Sequence, residues 1–190
     1  MINILISGCS GHMGRVVAEI CGADPDVEIA AGFDILGQSD RPFPVYSNPA
    51  LCTAAADALI DFSHPSALPA LLEYGRRTGT PLVLATTGYD GDQLAAIQEA
   101  ARTLPIFRSA NMSLGINVLL DLVRRAAAVL GKDCDIEIVE RHHNRKVDAP
   151  SGTALMLADA AASALPQRPE YVFDRQSVRK PREKQEIGIS

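Results

Sequence analysis

The chain has no apolar run near the roughly 18 residues that cross a bilayer, no basic excess, and few cysteines. Each shortage removes a class of function. Met1 leads directly into an apolar stretch, without a basic segment and cleavage site before it, so neither an export signal nor a membrane span is expected. The formal net charge of -5 argues against a general nucleic-acid binder, whose phosphate contacts need a positive excess. It leaves a small anionic ligand as a possible partner. Cys9, Cys21, Cys52 and Cys134 form no Cys-x-x-Cys pair and no metal-ligand spacing. Neither a disulfide framework nor a bound metal is therefore expected, and a reduced cytoplasm is the natural compartment. What remains is 190 residues, 47% hydrophobic and 22% charged, ordinary for a globular chain with one core or two small ones.

Ile2 to Ile6 is a short apolar run broken by Asn3, followed by Ser7-Gly8-Cys9-Ser10-Gly11-His12-Met13-Gly14-Arg15. Val16, Val17, Ile20 and Cys21 then recur at helical spacing. Strand, glycine turn and helix in this order are the context of a dinucleotide-binding turn. Gly8 permits the tight turn, Gly11 lets backbone approach a pyrophosphate, and Gly14 allows close helix packing, with the anion at the helix N-terminus. The Gly-x-x-Gly-x-x-Gly spacing is one residue off the commonest form, and a tight turn of this kind also occurs without a ligand. The next strand, Val27 to Phe33, favours the nucleotide. It ends at Asp34, twenty residues after Gly14, where a carboxylate accepts from the ribose hydroxyls of NADH and repels the 2′-phosphate of NADPH. Arg41, seven residues on in the following loop, is read first as a solvated charge and only second as a residue that could reach a phosphate.

Beyond an irregular stretch marked by Pro42, Pro44 and Pro49, the chain keeps an alternating rhythm. Strands at Ala58 to Ser63, Leu82 to Ala85 and Pro105 to Phe107 alternate with helices from about Ser66 to Arg77 and Asp92 to Arg102. This predicts an α/β fold with a parallel sheet and ligands at the carboxyl ends of its strands. The polar turns Thr86-Thr87-Gly88-Tyr89 and Ser109-Ala110-Asn111-Met112-Ser113 fall at such ends. His12 and His64 are assigned no chemistry, since a loop position and turn capping before Pro65 account for them. Leu114 to Leu130 reads as an amphipathic helix ended by Gly131, joining a first domain over 1–112 to a second over 113–190.

The chemistry concentrates between Glu140 and Ala154. Cys134 to Val139 has a strand pattern, and Ala154, Leu155, Leu157 and Ala158 continue as an apolar helix. Between them lie His142, His143 and Lys146, then Ser151 as a natural N-cap. The free N–H groups of Gly152 and Thr153 are placed to bind a carboxylate. A hydride added to a C=N or C=C bond leaves an anionic centre that must be protonated, and His or Lys supplies that proton near neutral pH. The reading is reduction of a small dianionic substrate by a nicotinamide cofactor. Ala158 to Ala164 reads as a good helix former, and Arg175 to Lys184 as a solvated loop.

Glu140-x-His142-His143-x-x-Lys146-x-Asp148-Ala149-Pro150-Ser151-Gly152-Thr153-Ala154 resembles the signature of the dihydrodipicolinate reductase family, also called 4-hydroxy-tetrahydrodipicolinate reductases. Gly8-x-x-Gly11-x-Met13-Gly14-Arg15, Ile60-Asp61-Phe62-Ser63, Thr86-Thr87-Gly88 and Ser109-Ala110-Asn111-Met112-Ser113 resemble it in the same order. The resemblance implies a Rossmann-type parallel-sheet domain followed by an α+β substrate and oligomerisation domain. It implies NADH- or NADPH-dependent reduction of 4-hydroxy-tetrahydrodipicolinate, a small cyclic dianion, to tetrahydrodipicolinate in lysine and diaminopimelate biosynthesis, by a homotetramer. His142 and Lys146 become the catalytic acid pair, and His143, Gly152 and Thr153 bind substrate. The cofactor meets Gly8, Cys9, Ser10, Gly11, His12, Met13, Asp34, Ala85, Thr86, Thr87, Ser109, Ala110, Asn111 and Met112. Ala85 stands where glycine is commoner, and Met112 where phenylalanine is common. Family members continue past the strand resembling Glu186 to Ile189, so a C-terminal part of the second domain is expected to be missing, leaving that strand an incompletely paired apolar edge. The alternative is an NAD-binding fragment or sensor without turnover. A semialdehyde dehydrogenase of similar architecture is disfavoured, because no cysteine stands in a nucleophile context.

Overall fold

The computed structural model describes residues 1–37, 41–144, 146, 149–177 and 179–190. Arg145, Val147 and Asp148 of the polar cluster lie outside the described residues. The chain divides into two compact units, Met1–Ala110 and Asn111–Ser190.

In the first unit, β1 (Ile2–Ser7), β2 (Val27–Phe33), β3 (Val45–Tyr46), β4 (Ala58–Asp61), β5 (Leu82–Leu84) and β6 (Ile106–Arg108) form a sheet in the order β3-β2-β1-β4-β5-β6. Every neighbouring pair is parallel. This is the strand order of a Rossmann-type fold. It reverses between β1 and β4, so the chain leaves these two strands in opposite directions and a crevice opens at their carboxyl ends. The side chains of β1 explain why its sequence is a continuous apolar run. Ile4 and Ile6 join Ala18 of α1 (His12–Ala23) on one face, while Leu5 joins Leu68, Leu71, Leu72 and Tyr74 of α2 (Leu68–Thr78) on the other. A parallel sheet covered on both faces has no polar side to present. Tyr74 is fully buried, edge-on to Phe33 at 5.4 Å, and its hydroxyl donates to the Ala54 carbonyl at 3.1 Å, satisfying the polar tip inside an apolar cluster. α3 (Gly91–Ala100) begins with a capping box formed by Asp90 and Gln93.

The second unit contains α4 (Leu114–Leu130), β7 (Ile136–Ile138), α5 (Gly152–Ala162), β8 (Glu170–Phe173) and β9 (Glu186–Ile189). Its strands pair in parallel in the order β7-β9-β8. Four sequence expectations change here. The strand at Glu186–Ile189 is the central one, paired on both sides and buried throughout, rather than an incompletely paired edge. The alanines of α5 are packing residues as well as helix formers: Ala154, Ala158 and Ala161 lie buried with Ala127 of α4 and Ile187 and Ile189 of β9. Small side chains allow that close approach. Gly131 ends α4 in a right-handed conformation, and a Cβ there would lie 2.5 Å from the Ala127 carbonyl oxygen as well as against the Leu165 side chain. Close packing on backbone, and not a left-handed turn, favours that glycine. Finally, the basic stretch is not all solvated. Arg175 pairs with Glu186, and Arg182 pairs with Glu137 and donates to the Ile136 carbonyl at 2.6 Å, while Arg179, Lys180 and Lys184 remain exposed. Among the described residues, no helix is long and apolar enough to cross a membrane.

Candidate active site

The glycine turn at the end of β1 is shaped by crowding. Gly8 has φ 75, and a Cβ on it would lie 2.6 Å from the Phe62 carbonyl oxygen, while one on Gly14 would run into the Gly8 carbonyl. Only glycine meets both demands. Gly11 is the N-cap of α1 and no side chain caps the helix, so its first N–H groups await an outside acceptor. The Ser10 hydroxyl is buried without a hydrogen-bond partner among the described residues, a second group suited to an anion. Asp34 closes the turn from β2: one carboxylate oxygen accepts from the Ser10 N–H at 3.0 Å and the other from the Leu36 N–H at 3.2 Å. A cleft of about 530 Å³ is lined by Gly8, Ser10, Gly11, Asp34, Ser63 and His64 among others. It lies where the strand order reverses and has the size of a cofactor site. The Cys9 side chain is fully buried in the core beside Ile4, Ile6 and Phe43. Burial pushes its thiol pKa up, so Cys9 is no nucleophile and offers the turn its backbone alone.

Sequence reasoning missed the group that ties the next two loops together. Asp61, at the end of β4, is 0% exposed. It accepts from the Ser63 N–H at 3.2 Å, the Ser63 hydroxyl at 2.5 Å and the Tyr89 hydroxyl at 3.3 Å. Burial first, and the Asp61 charge second, push the Tyr89 pKa up, keeping that hydroxyl a donor. Gln93 adds a bond from its amide to the Pro65 carbonyl at 2.9 Å. The loop after β4 and the loop after β5 are therefore clasped. The second loop holds Ala85 and Thr86, both buried, and the exposed Thr87. His64 caps its own turn, Nδ1 accepting from the Ser66 N–H at 3.2 Å. The available signal for the clasp was a lone carboxylate inside the apolar run Ala58 to Phe62.

In the second unit, β7 delivers Glu140, whose N–H donates to the Ser190 carbonyl at 2.8 Å. Its carboxylate accepts the Ser151 N–H at 2.7 Å and the Ser151 hydroxyl. The Ser151 hydroxyl oxygen in turn accepts from the Ala154 N–H at 3.0 Å, capping α5. The N–H groups of Gly152 and Thr153 lie in the first turn, outside the helix ladder. His142 Nδ1 lies 3.7 Å from the Glu140 carboxylate. Lys146 is half-buried and its N–H donates to the His143 carbonyl at 3.3 Å. Asn111 donates to the Thr153 hydroxyl at 2.9 Å and accepts from the Ser113 N–H at 2.9 Å. Burial pushes the Glu140 pKa up, but the hydroxyl and N–H of Ser151, with His142 and Lys146, outweigh it, and the net shift is down. Among the described residues, no group of three or more His, Cys, Asp and Glu is arranged to hold a metal ion.

Residues 2–112 match the family model described as dihydrodipicolinate reductase, N-terminus, and residues 115–190 the one described as dihydrodipicolinate reductase, C-terminus. The chain belongs to the dihydrodipicolinate reductase family. A 4-hydroxy-tetrahydrodipicolinate reductase of Caldanaerobacter subterraneus subsp. tengcongensis is 49% identical over 189 residues, covering 100% of this chain and 74% of that one. Another from Clostridium perfringens is 44% identical over 191 residues, covering 100% and 75%. Among solved structures, dipicolinate-bound dihydrodipicolinate reductase from Paenisporosarcina sp. TG-14 has a TM-score of 0.72 at 23% identity, covering 100% of this chain and 78% of that one. That likeness speaks to the fold. The chain is thus an oxidoreductase of lysine and diaminopimelate biosynthesis that uses a nicotinamide cofactor.

Within this reductase the structure joins Ser10 of the glycine turn to Asp34, just before α1, and gathers Glu140, His142, Ser151 and Gly152 around one helix start. Because Glu140 ionises more readily folded than unfolded, its contribution to stability is present above the ordinary carboxyl value of 4.5 and is lost as pH falls through the lowered value. Between about pH 6 and pH 3, the melting temperature of the unsubstituted chain should fall more steeply than that of Glu140→Gln. Equal slopes in parallel thermal melts would reject this account.

Proposed function

We propose that the chain reduces 4-hydroxy-tetrahydrodipicolinate to tetrahydrodipicolinate, with the nucleotide bound by residues 1–112 and the substrate by residues 113–190. The observation that carries the reading is the start of α5, where Ser151 is held by Glu140 beside His142 and the N–H groups of Gly152 and Thr153 are left for a carboxylate. The backbone of Gly8, Cys9, Ser10, Gly11, His12 and Met13 wraps the pyrophosphate. Asp34 accepts from the ribose hydroxyls, which favours NADH over NADPH. Ala85, Thr86, Thr87, Ser109, Ala110, Asn111 and Met112 surround the nicotinamide end. The cofactor supplies a hydride. His142 and Lys146 hold the proton that neutralises the resulting anionic centre, and His143, Gly152 and Thr153 bind substrate carboxylate. The protein works in the cytoplasm as a homotetramer.

Replacing Lys146 by Met should lower kcat by about 10²–10⁴-fold, the usual contribution of a positioned acid, while NADH still quenches or enhances fluorescence at unchanged affinity. Near-normal turnover by this variant would sink the role, and NADH binding by the unsubstituted chain with no oxidation would favour the reading without turnover. Asp34→Ala should narrow the preference for NADH over NADPH by about 10-fold, because a ribose hydrogen bond to a charged group is lost and a repulsion is relieved. An unchanged ratio of kcat/KM values rejects the ribose assignment. Sedimentation velocity of the purified chain checks the tetramer, and a monomer throughout the micromolar range overturns it.

A further inference from the structure

We propose that Glu140 is a positioning residue for the reaction: it fixes the start of α5 for carboxylate capture and, through the same carboxylate, orients His142. This rests on the substrate reading above. A negative charge beside a site that must bind an anion weakens binding unless it does something else, so its presence calls for a reason. The helix start supplies one. A Ser N-cap is ordinarily completed by Glu or Gln at the third helical position, whose side chain reaches back to the N-cap N–H. In α5 that position is Ala154, and the Ser151 N–H is taken at 2.7 Å by Glu140, 11 residues away and on another element. Moving the carboxylate off the helix satisfies the cap and leaves Gly152, Thr153 and Ala154 as a first turn with no acidic side chain. An anion can then approach the N–H groups without meeting one.

Glu140 is well placed to hold this arrangement. Its N–H bonds to the Ser190 carbonyl at 2.8 Å, and Ser190 N–H bonds to the Ile138 carbonyl at 3.0 Å, so it sits on a strand end and not on a loose loop. Its side chain is 18% exposed and both oxygens are engaged by Ser151. His142 turns Nδ1 toward the same carboxylate, at 3.7 Å, which leaves Nε2 as the ring nitrogen for the reacting side.

The test compares Glu140→Ala, Glu140→Gln and Ser151→Ala in the full chain, with NADH affinity as the measure of intact folding. Two readouts are needed: kcat at saturating NADH, and equilibrium affinity for dipicolinate, an inert planar dianion whose binding requires no proton transfer. Glu140→Ala should weaken dipicolinate by about 10-fold and lower kcat by at least as much, the scale of a lost charge-assisted hydrogen bond. Glutamine can still accept the Ser151 N–H but carries no charge toward His142. Glu140→Gln should therefore recover dipicolinate affinity to within about 2-fold while kcat stays depressed. Ser151→Ala should reproduce the affinity loss of Glu140→Ala. Unchanged affinity in Glu140→Ala, or identical behaviour of the Ala and Gln variants in both readouts, overturns the positioning role alone. Failure of the unsubstituted chain to bind dipicolinate overturns the carboxylate reading beneath it, and the proposal with it.

Discussion

Both units depend on backbone N–H groups that, among the described residues, lie outside the hydrogen-bond ladder at the start of a helix that follows a strand. Four such groups open every α-helix, and each needs an acceptor from outside the ladder. In α1 the cap is Gly11, with no side chain to offer. In α5 the cap is Ser151, which satisfies Ala154 and leaves the first two positions open. The glycine turn, the reversal of strand order beside it, and the carboxylate that braces Ser151 can all be understood as means of keeping those donors fixed and accessible.

The nucleotide end of the chain was legible because its constraints are local. A Cβ at Gly8 or Gly14 has no room, so the glycines had to appear in the sequence, and the continuous apolar run of β1 follows from a sheet covered on both sides. Asp34 was visible for the same reason, at the end of a strand that could be counted. Its hydrogen bonds to Ser10 and Leu36 were not, because they depend on how the turn folds back.

What escaped the sequence was long-range. Asp61 and Tyr89 lie 28 residues apart, and the lone carboxylate inside an apolar run, the one local signal, does not name its partner. Arg182 reaches Glu137 across 45 residues, so a stretch rich in basic residues looks solvated until the strand it clasps is seen. The strand Glu170–Phe173 escaped notice for a related reason: Glu-Tyr-Val-Phe is too short to show a period of its own, and its pairing with β9 gives it its identity. The short polar cluster before α5 stood out by its composition, but the bonds from Ser151 to Glu140 could be seen only once the helix end that this carboxylate meets was known.

The pairing order β7-β9-β8 also bears on how the chain reaches this structure. Every pairing of the first unit is complete by Arg108, so that unit can fold while the rest is still being synthesised. The second unit cannot do the same. β7 and β8 each find their partner in β9, which is made after both of them, so on the ribosome both strands wait with unpaired edges. The second sheet therefore cannot begin to pair until its last strand, Glu186–Ile189, is available.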